Sequence, residues 1–243
     1  MNKPYLTSRA YKNYESLQTA GTLEALITNA SNISFYEALG PLELQRFAQT
    51  IDLEKCPDLD QLKNYIDHST HVLEIGAGYG RVIQGLRERR PELKITAVEL
   101  AKNSVTHLQK RFQNTPNLRI LSGDILEVPT RQEYDLALWL WSGLADLNRL
   151  EQRLCVKRLA TLLFPSGALA IDLPADVTNM NATTSIENYY KLRLDPKLLY
   201  YGYIPPKDEL IALCSKASLI HVQEVCYSTS TGKQRLLEVF KKA

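Results

Sequence analysis

The sequence predicts an α/β fold, a seven-stranded mixed sheet with its last strand antiparallel, helices on both faces and an N-terminal helical cap. Three observations carry this. From about residue 70 onward, short apolar runs alternate with segments of helical spacing, which implies a largely parallel sheet covered on both sides. The first run, Val72-Leu73-Glu74-Ile75, stops at Gly76, Gly78 and Gly80, and a helix-like segment starts at Arg81. The chain closes on two extended runs, Ile220 to Tyr227 and Gln234 to Phe240, whose six-residue link is short enough for an antiparallel pair.

Residues 1–68 read as the cap. Leu23 to Ile27 and Phe35 to Leu39 repeat apolar residues at helical spacing, and Gly40-Pro41 punctuates the second segment. A helix from about Leu42 to Ile51 presents Leu44, Phe47 and Ile51 on one side. Residues 69–243 form the main domain. Its second strand, Lys94 to Glu99, ends in an acid. The next helix turns Val105, Leu108 and Phe112 inward, with His107 and Lys110 outward. Asn117 to Leu121 and Glu133 to Leu140 make the third and fourth strands. A helix from about Asp146 to Phe164 places Leu150, Leu154, Leu159 and Leu162 on its buried side. A turn at Pro165-Ser166-Gly167 leads into the fifth strand, which ends at Asp172. An insertion at about 174–205 follows, with Tyr189, Tyr190, Tyr200, Tyr201 and Tyr203 around Lys191 and Arg193. It reads either as padding or as a lid over the carboxyl ends of the strands. Pro206-Lys207-Asp208-Glu209 starts the last helix, proline and acids both suiting a first turn.

A strand, a glycine turn and a helix N-terminus in succession aim backbone amides at one point. Glycine there permits positive φ and close approach of a ligand. The register is Glu-x-Gly-x-Gly-x-Gly; the dinucleotide spacing G-x-G-x-x-G would put Arg81 in its last slot. An acid ending the second strand, as Glu99 does, can accept hydrogen bonds from both hydroxyls of a ribose.

The glycine loop, Glu99, Ser122-Gly123-Asp124-Ile125, the fourth strand and the turn into the fifth occur in an order that resembles class I S-adenosylmethionine-dependent methyltransferases. The resemblance covers about residues 70–243. It implies a Rossmann-like sheet with a closing hairpin and S-adenosyl-L-methionine as cofactor, with S-adenosyl-L-homocysteine as product. It assigns Glu74, Gly76, Gly78, Gly80, Glu99 and Leu100 to the cofactor. It puts Asp124 at the adenine amino group, with the Ile125 amide near the ring, and Trp139 beside them. Among small-molecule members, cap aromatics cover the cofactor, a part that falls here to Tyr14 and Tyr36.

Composition narrows the partners. With 243 residues, 44% hydrophobic and 23% charged, the chain has the balance of a soluble globular protein, and no apolar run reaches membrane-spanning length. A formal charge of +2 disfavours a nucleic-acid groove. Cys56, Cys155, Cys214 and Cys226 form no C-x-x-C, so neither a zinc site nor a disulfide framework is expected. Reduced thiols and the absence of a signal-like N-terminus suggest a cytoplasmic protein.

Ligands of open α/β sheets bind beyond the carboxyl ends of the strands. His68, His71 and His221 fall at the other end and His107 on an outer helix face, so no histidine is placed as a base. At the right end lie Trp139, Trp141, Ser142 and Asp172. Asp172 is the candidate for orienting or deprotonating an acceptor, and Trp141 for attracting a cation. Asn148 and Arg149, near the same rim, are candidates for touching a substrate carboxylate. No Asn/Asp-Pro-Pro-aromatic or Pro-Cys sequence follows the fourth strand, and paired metal-binding acids are missing. This disfavours amino-methylating nucleic-acid enzymes, cysteine-dependent carbon methylation and a metal site. The expected function is methyl transfer to an oxygen or nitrogen of a small molecule. A protein or RNA acceptor, or a non-catalytic S-adenosylmethionine-binding module, stays open.

Overall fold

The structure is a computed structural model that describes residues 24–27, 29–129, 131, 133–175, 184–186, 188–195 and 198–243. Two sheets organise it. The larger has seven strands in the order β3-β2-β1-β4-β5-β10-β9. They are β1 (His71–Ile75), β2 (Lys94–Glu99), β3 (Leu118–Ser122), β4 (Tyr134–Trp139), β5 (Leu163–Pro174), β9 (Leu219–Ser228) and β10 (Gln234–Lys242). The first five pair in parallel, while β10 runs antiparallel between β5 and β9. The expected mixed sheet with an inserted antiparallel last strand is therefore present.

The strand sequences are nearly all apolar because both faces are covered. Alternate residues feed two separate cores. Leu73, Ala137, Trp139, Leu169 and Ile171 pack on the side of α7 (Arg149–Leu162) and α8 (Lys207–Ser215). Val72, Leu136, Leu138 and Ala170 pack on the other side with α3 (Pro57–Gln61), α4 (Lys63–Asp67) and α5 (Arg81–Arg89). The carboxyl ends of β1, β2 and β4 are thus held between two dry layers. In α6 (Lys102–Arg111) and the residue after it, Val105, Leu108 and Phe112 are buried, as their spacing predicts.

Two further pieces lie over those strand ends. α1 (Asn29–Leu39) and α2 (Pro41–Thr50) precede β1 in the chain and rest against α6. The segment after β5 forms a small antiparallel sheet, β6 (Thr184–Ile186), β7 (Tyr189–Asp195) and β8 (Leu198–Tyr203), and α1 packs on β8. Gly202 pairs with Tyr190 across β7 and β8, and a Cβ there would lie 2.4 Å from the Tyr190 ring. Glycine lets that ring cross the backbone of the neighbouring strand.

Three expectations need correction. Leu150 and Leu154 are exposed; the buried side of α7 carries Gln152, Cys155, Val156, Leu159 and Leu162. Gln152 displaces leucine there because its amide donates to the carbonyls of Leu144, Leu147 and Tyr203 at 3.0, 3.1 and 3.2 Å. Phe47 does not join the apolar side of α2. It is largely exposed and stacks on Trp141, ring centroids 6.1 Å apart, while Ala48 faces the core. β5 starts directly after α7, and the predicted turn becomes an irregularity within it, with Ser166 at φ 64°.

Candidate functional site

The turn after β1 is built to expose backbone. Gly76, Gly78 and Gly80 have φ of 72°, 56° and 90°, where side chains other than glycine are strained. The amides of Gly76 and Ala77 donate to the Val98 carbonyl at 2.9 and 3.2 Å, which ties the loop to β2. A Cβ on Gly76 would meet no protein atom, because it would project into a cavity. A Cβ on Gly80 would lie 2.5 Å from the Phe112 ring, so that glycine serves packing behind the loop. The helix start is locked by Arg81, which is 5% exposed and donates to both carboxylate oxygens of Asp58 at 2.8 and 2.6 Å and to Leu53 O at 3.1 Å.

Three acids sit around this loop. Glu99 accepts from the Gly78 amide at 2.7 Å on one oxygen and from Leu100 and Ala101 at 2.8 and 2.7 Å on the other. Burial pushes its carboxyl up, and the three amides oppose that. Each carboxylate oxygen has about two lone-pair sites, so Oε2 keeps acceptor capacity for a hydroxyl. Asp124 caps the 3₁₀ turn Ile125–Glu127 by accepting from Leu126 N at 2.9 Å. Glu74 is 4% exposed, and its Oε2 has no hydrogen-bond partner among the described residues. Burial pushes this carboxyl up to about 8, against the pull of Arg81. An orphaned carboxylate oxygen at the end of β1 suits a cationic group of a ligand.

The other end of the same cavity is aromatic. Tyr36 of α1 and Tyr200 of β8 both donate to Oδ1 of Asp146, Tyr36 at 3.3 Å. Tyr190 lies with its hydroxyl 3.3 Å from that of Tyr200. Burial and the facing carboxylate hold the Tyr36 and Tyr200 phenols well above their ordinary value, so they stay protonated. Burial pushes Asp146 up to about 7, and the two phenols pull the other way. Trp141 forms the opposite wall, between Phe47 and Tyr79 and 5.9 Å from the Arg81 guanidinium.

Most of the expected residues converge. Glu74, Gly76, Gly78, Glu99, Leu100, Asp124, Ile125, Trp139, Trp141 and Tyr36 all line this cavity. Tyr14 lies outside the described residues. Asp172 is placed otherwise than as a base. It is fully buried behind the wall and accepts from Arg235 Nε and Nη2, Tyr227 Oη and the Trp141 amide at 2.7–3.1 Å. The Ser142 amide also donates to its carbonyl at 2.9 Å. A carboxylate so engaged fixes the Trp141-Ser142 turn, both residues at positive φ, and has no path to an acceptor. Asn148 and Arg149 also point elsewhere: Asn148 caps α7 and binds Ile27 O, while Arg149 meets Tyr203 and Glu209. Sequence reasoning missed Asp146, Asn32 and Arg235. The tyrosine-rich insertion, Tyr36 and Trp141 were the sequence's hints of the aromatic end.

Known proteins agree with this architecture. Residues 72–167 match the family model described as a methyltransferase domain. Malonyl-[acyl-carrier protein] O-methyltransferase of Bacillus cereus is 29% identical over 169 residues, 67% of this chain and 60% of that protein. Ribosomal RNA small subunit methyltransferase A of a Synechococcus species is 41% identical over 59 residues, 24% of this chain and 21% of that protein. The chain thus spans 60% and 21% of the lengths of these two relatives. Among solved structures, the 1,6-didemethyltoxoflavin-N1-methyltransferase of Burkholderia thailandensis, with bound 1,6-didemethyltoxoflavin and S-adenosylhomocysteine, superposes with a TM-score of 0.66 at 18% identity. That match covers 100% of this chain and 93% of that one, a likeness of fold.

Proposed function

Since the chain belongs to the class I S-adenosylmethionine-dependent methyltransferases of Rossmann-like fold, we propose that it methylates an oxygen or nitrogen of a small molecule. The observation that carries this reading is one continuous cavity with an adenosyl-type cradle at one end and an aromatic chamber with a single carboxylate at the other. The acceptors named for the Burkholderia and Bacillus relatives, a heterocycle nitrogen and a carrier-linked malonyl group, accord with a non-nucleic-acid substrate.

On this reading, Glu99 accepts from a ribose hydroxyl through Oε2 and Asp124 from the adenine amino group, with Ile125 and Leu100 against the ring. Glu74 faces the ammonium of the methionyl part, and the open Gly76 lets backbone come close to it. When bound, S-adenosylmethionine supplies a methyl group already activated as an electrophile, so alignment and exclusion of water provide much of the rate. Tyr36, Tyr200 and Trp141 enclose the acceptor. Asp146 takes its proton, a fitting role for a carboxyl near 7. Asp172 acts through the Trp141-Ser142 turn as a positioning residue.

The test is incubation of the protein with methyl-labelled S-adenosylmethionine and a metabolite extract, followed by mass identification of the labelled product. The expected result is a small molecule carrying one added methyl group, lost in Asp146→Leu while S-adenosylhomocysteine still binds. Label in protein or RNA alone, or cofactor binding without any labelled product, would overturn the proposal.

A further inference from the structure

The acceptor end of the cavity offers hydrogen-bond acceptors and no spare cation. Asn32 is 2% exposed. Its amide nitrogen donates to the carbonyls of Asp146 at 2.6 Å and Tyr201 at 3.1 Å. Those two bonds fix which way the amide points. Its Oδ1 is left without a partner among the described residues, and the residue lines the cavity. Asp146 receives both phenols on Oδ1; its Oδ2 receives no hydrogen bond among the described residues. The phenols are committed to that carboxylate. Arg81 is the one cation among the described residues lining the cavity, and it is spent on Asp58. Glu74 and Glu99 add negative charge at the other end.

A ligand here meets unsatisfied acceptors between flat rings. A buried acceptor without a donor is costly, so a donor is what the site rewards. A carboxylate would be desolvated, would find no free cation among the described residues, and would face Asp146. Phe35, Tyr36 and Tyr200 touch one another edge-on or tilted, with centroids 5.2–6.2 Å apart, and with Trp141 they give this end aromatic walls that suit an apolar body. Resting on the methyltransferase reading, we infer that the acceptor is an uncharged molecule with an apolar, aromatic body that donates an O–H or N–H to Asp146 and Asn32, and that carboxylate acceptors are rejected.

The test uses the full chain saturated with S-adenosylhomocysteine and three probes of one ring system: 1-naphthol, 1-methoxynaphthalene and 1-naphthoate. Dissociation constants are measured by calorimetry. 1-Naphthol should bind at least about tenfold more tightly than either of the others, the value of one good buried hydrogen bond. In Asp146→Asn, which keeps the shape and an acceptor for the phenols, the preference for naphthol over naphthoate should shrink by at least about fivefold. In Tyr200→Phe, which frees a lone pair of the same carboxylate, the preference should persist or widen. A naphthoate that binds as tightly as naphthol, a naphthol that does not bind, or an Asp146→Asn protein with the parental preference would each overturn the inference. S-Adenosylhomocysteine is titrated first on the same sample. Its failure to bind would overturn the underlying methyltransferase reading, whereas its binding followed by a preference for naphthoate overturns the acceptor class alone.

Discussion

On the proposed reading, Glu74 meets the ammonium of the cofactor, and its protonation reports on that contact. Its carboxyl is pushed up to about 8 by burial, so in the free protein at neutral pH it is mostly protonated. An ammonium placed beside it favours the ionised form and lowers that value. Binding of S-adenosylhomocysteine near pH 7 should therefore release up to about one proton, and the release should fade above about pH 9 where Glu74 is already ionised. Calorimetry in buffers of different ionisation enthalpy measures this directly, and Glu74→Gln should abolish it. Proton uptake, or no buffer dependence at pH 7, would show that no cation meets Glu74. That Glu74, Glu99 and Asp124 line one cavity was legible in the sequence, because each stands at or just past a strand end. Asp146 and Asn32 were not. Asp146 sits in a 3₁₀ turn, Gly143–Asp146, that no periodicity announces. The partners that define both residues are 54 to 169 positions away in the chain.

At the level of elements, the site depends on how β4 and β5 are hooked together at their carboxyl ends. Asp172 of β5 holds the turn that presents Trp141, and Arg235 of β10 neutralises Asp172 while also donating to Ser142 Oγ at 3.0 Å. Both charges are buried, Arg235 at 5% and Asp172 at 0% exposure. Removing one partner of such a pair costs about 3–5 kcal/mol, because the other is left charged and dry. Arg235→Leu should lose stability of that order in urea unfolding. Burial already raises Asp172, and without Arg235 its folded value rises further above the unfolded one. Protonation then favours the folded variant, so the deficit should be smaller near about pH 5 than near about pH 8. A loss below about 1 kcal/mol, or one independent of pH, would contradict this account of the turn. The sequence made Asp172 a candidate base because it ends a strand at the correct edge. It carried no sign that Arg235, 63 residues later on an antiparallel strand, would claim the same carboxylate. The misplaced leucines of α7 have a similar cause. Leu150 and Leu154 fit helical spacing, but the inward face was taken by Gln152, whose amide has carbonyls of three separate segments to satisfy.

Across the whole molecule, the mixed sheet follows from alternation and a terminal hairpin, local signals that the sequence states plainly, and its order agrees with the family resemblance. What closes over the strand ends does not follow from local signals. α1 and the β6–β8 sheet come from opposite ends of the chain order and meet through Asn32, Tyr36 and Tyr200. At the centre stands the proposed assignment of the glycine turn, Glu74, Glu99 and Asp124 to one S-adenosylmethionine site. The most direct measurement is calorimetric titration of the full chain with S-adenosylhomocysteine, beside NAD and beside the Glu99→Ala variant. The expected result is one site per chain, no detectable NAD binding, and an affinity at least about fivefold weaker in Glu99→Ala from the loss of a ribose hydrogen bond. Absence of binding, preference for NAD, or an undiminished affinity in a properly folded Glu99→Ala protein would contradict it.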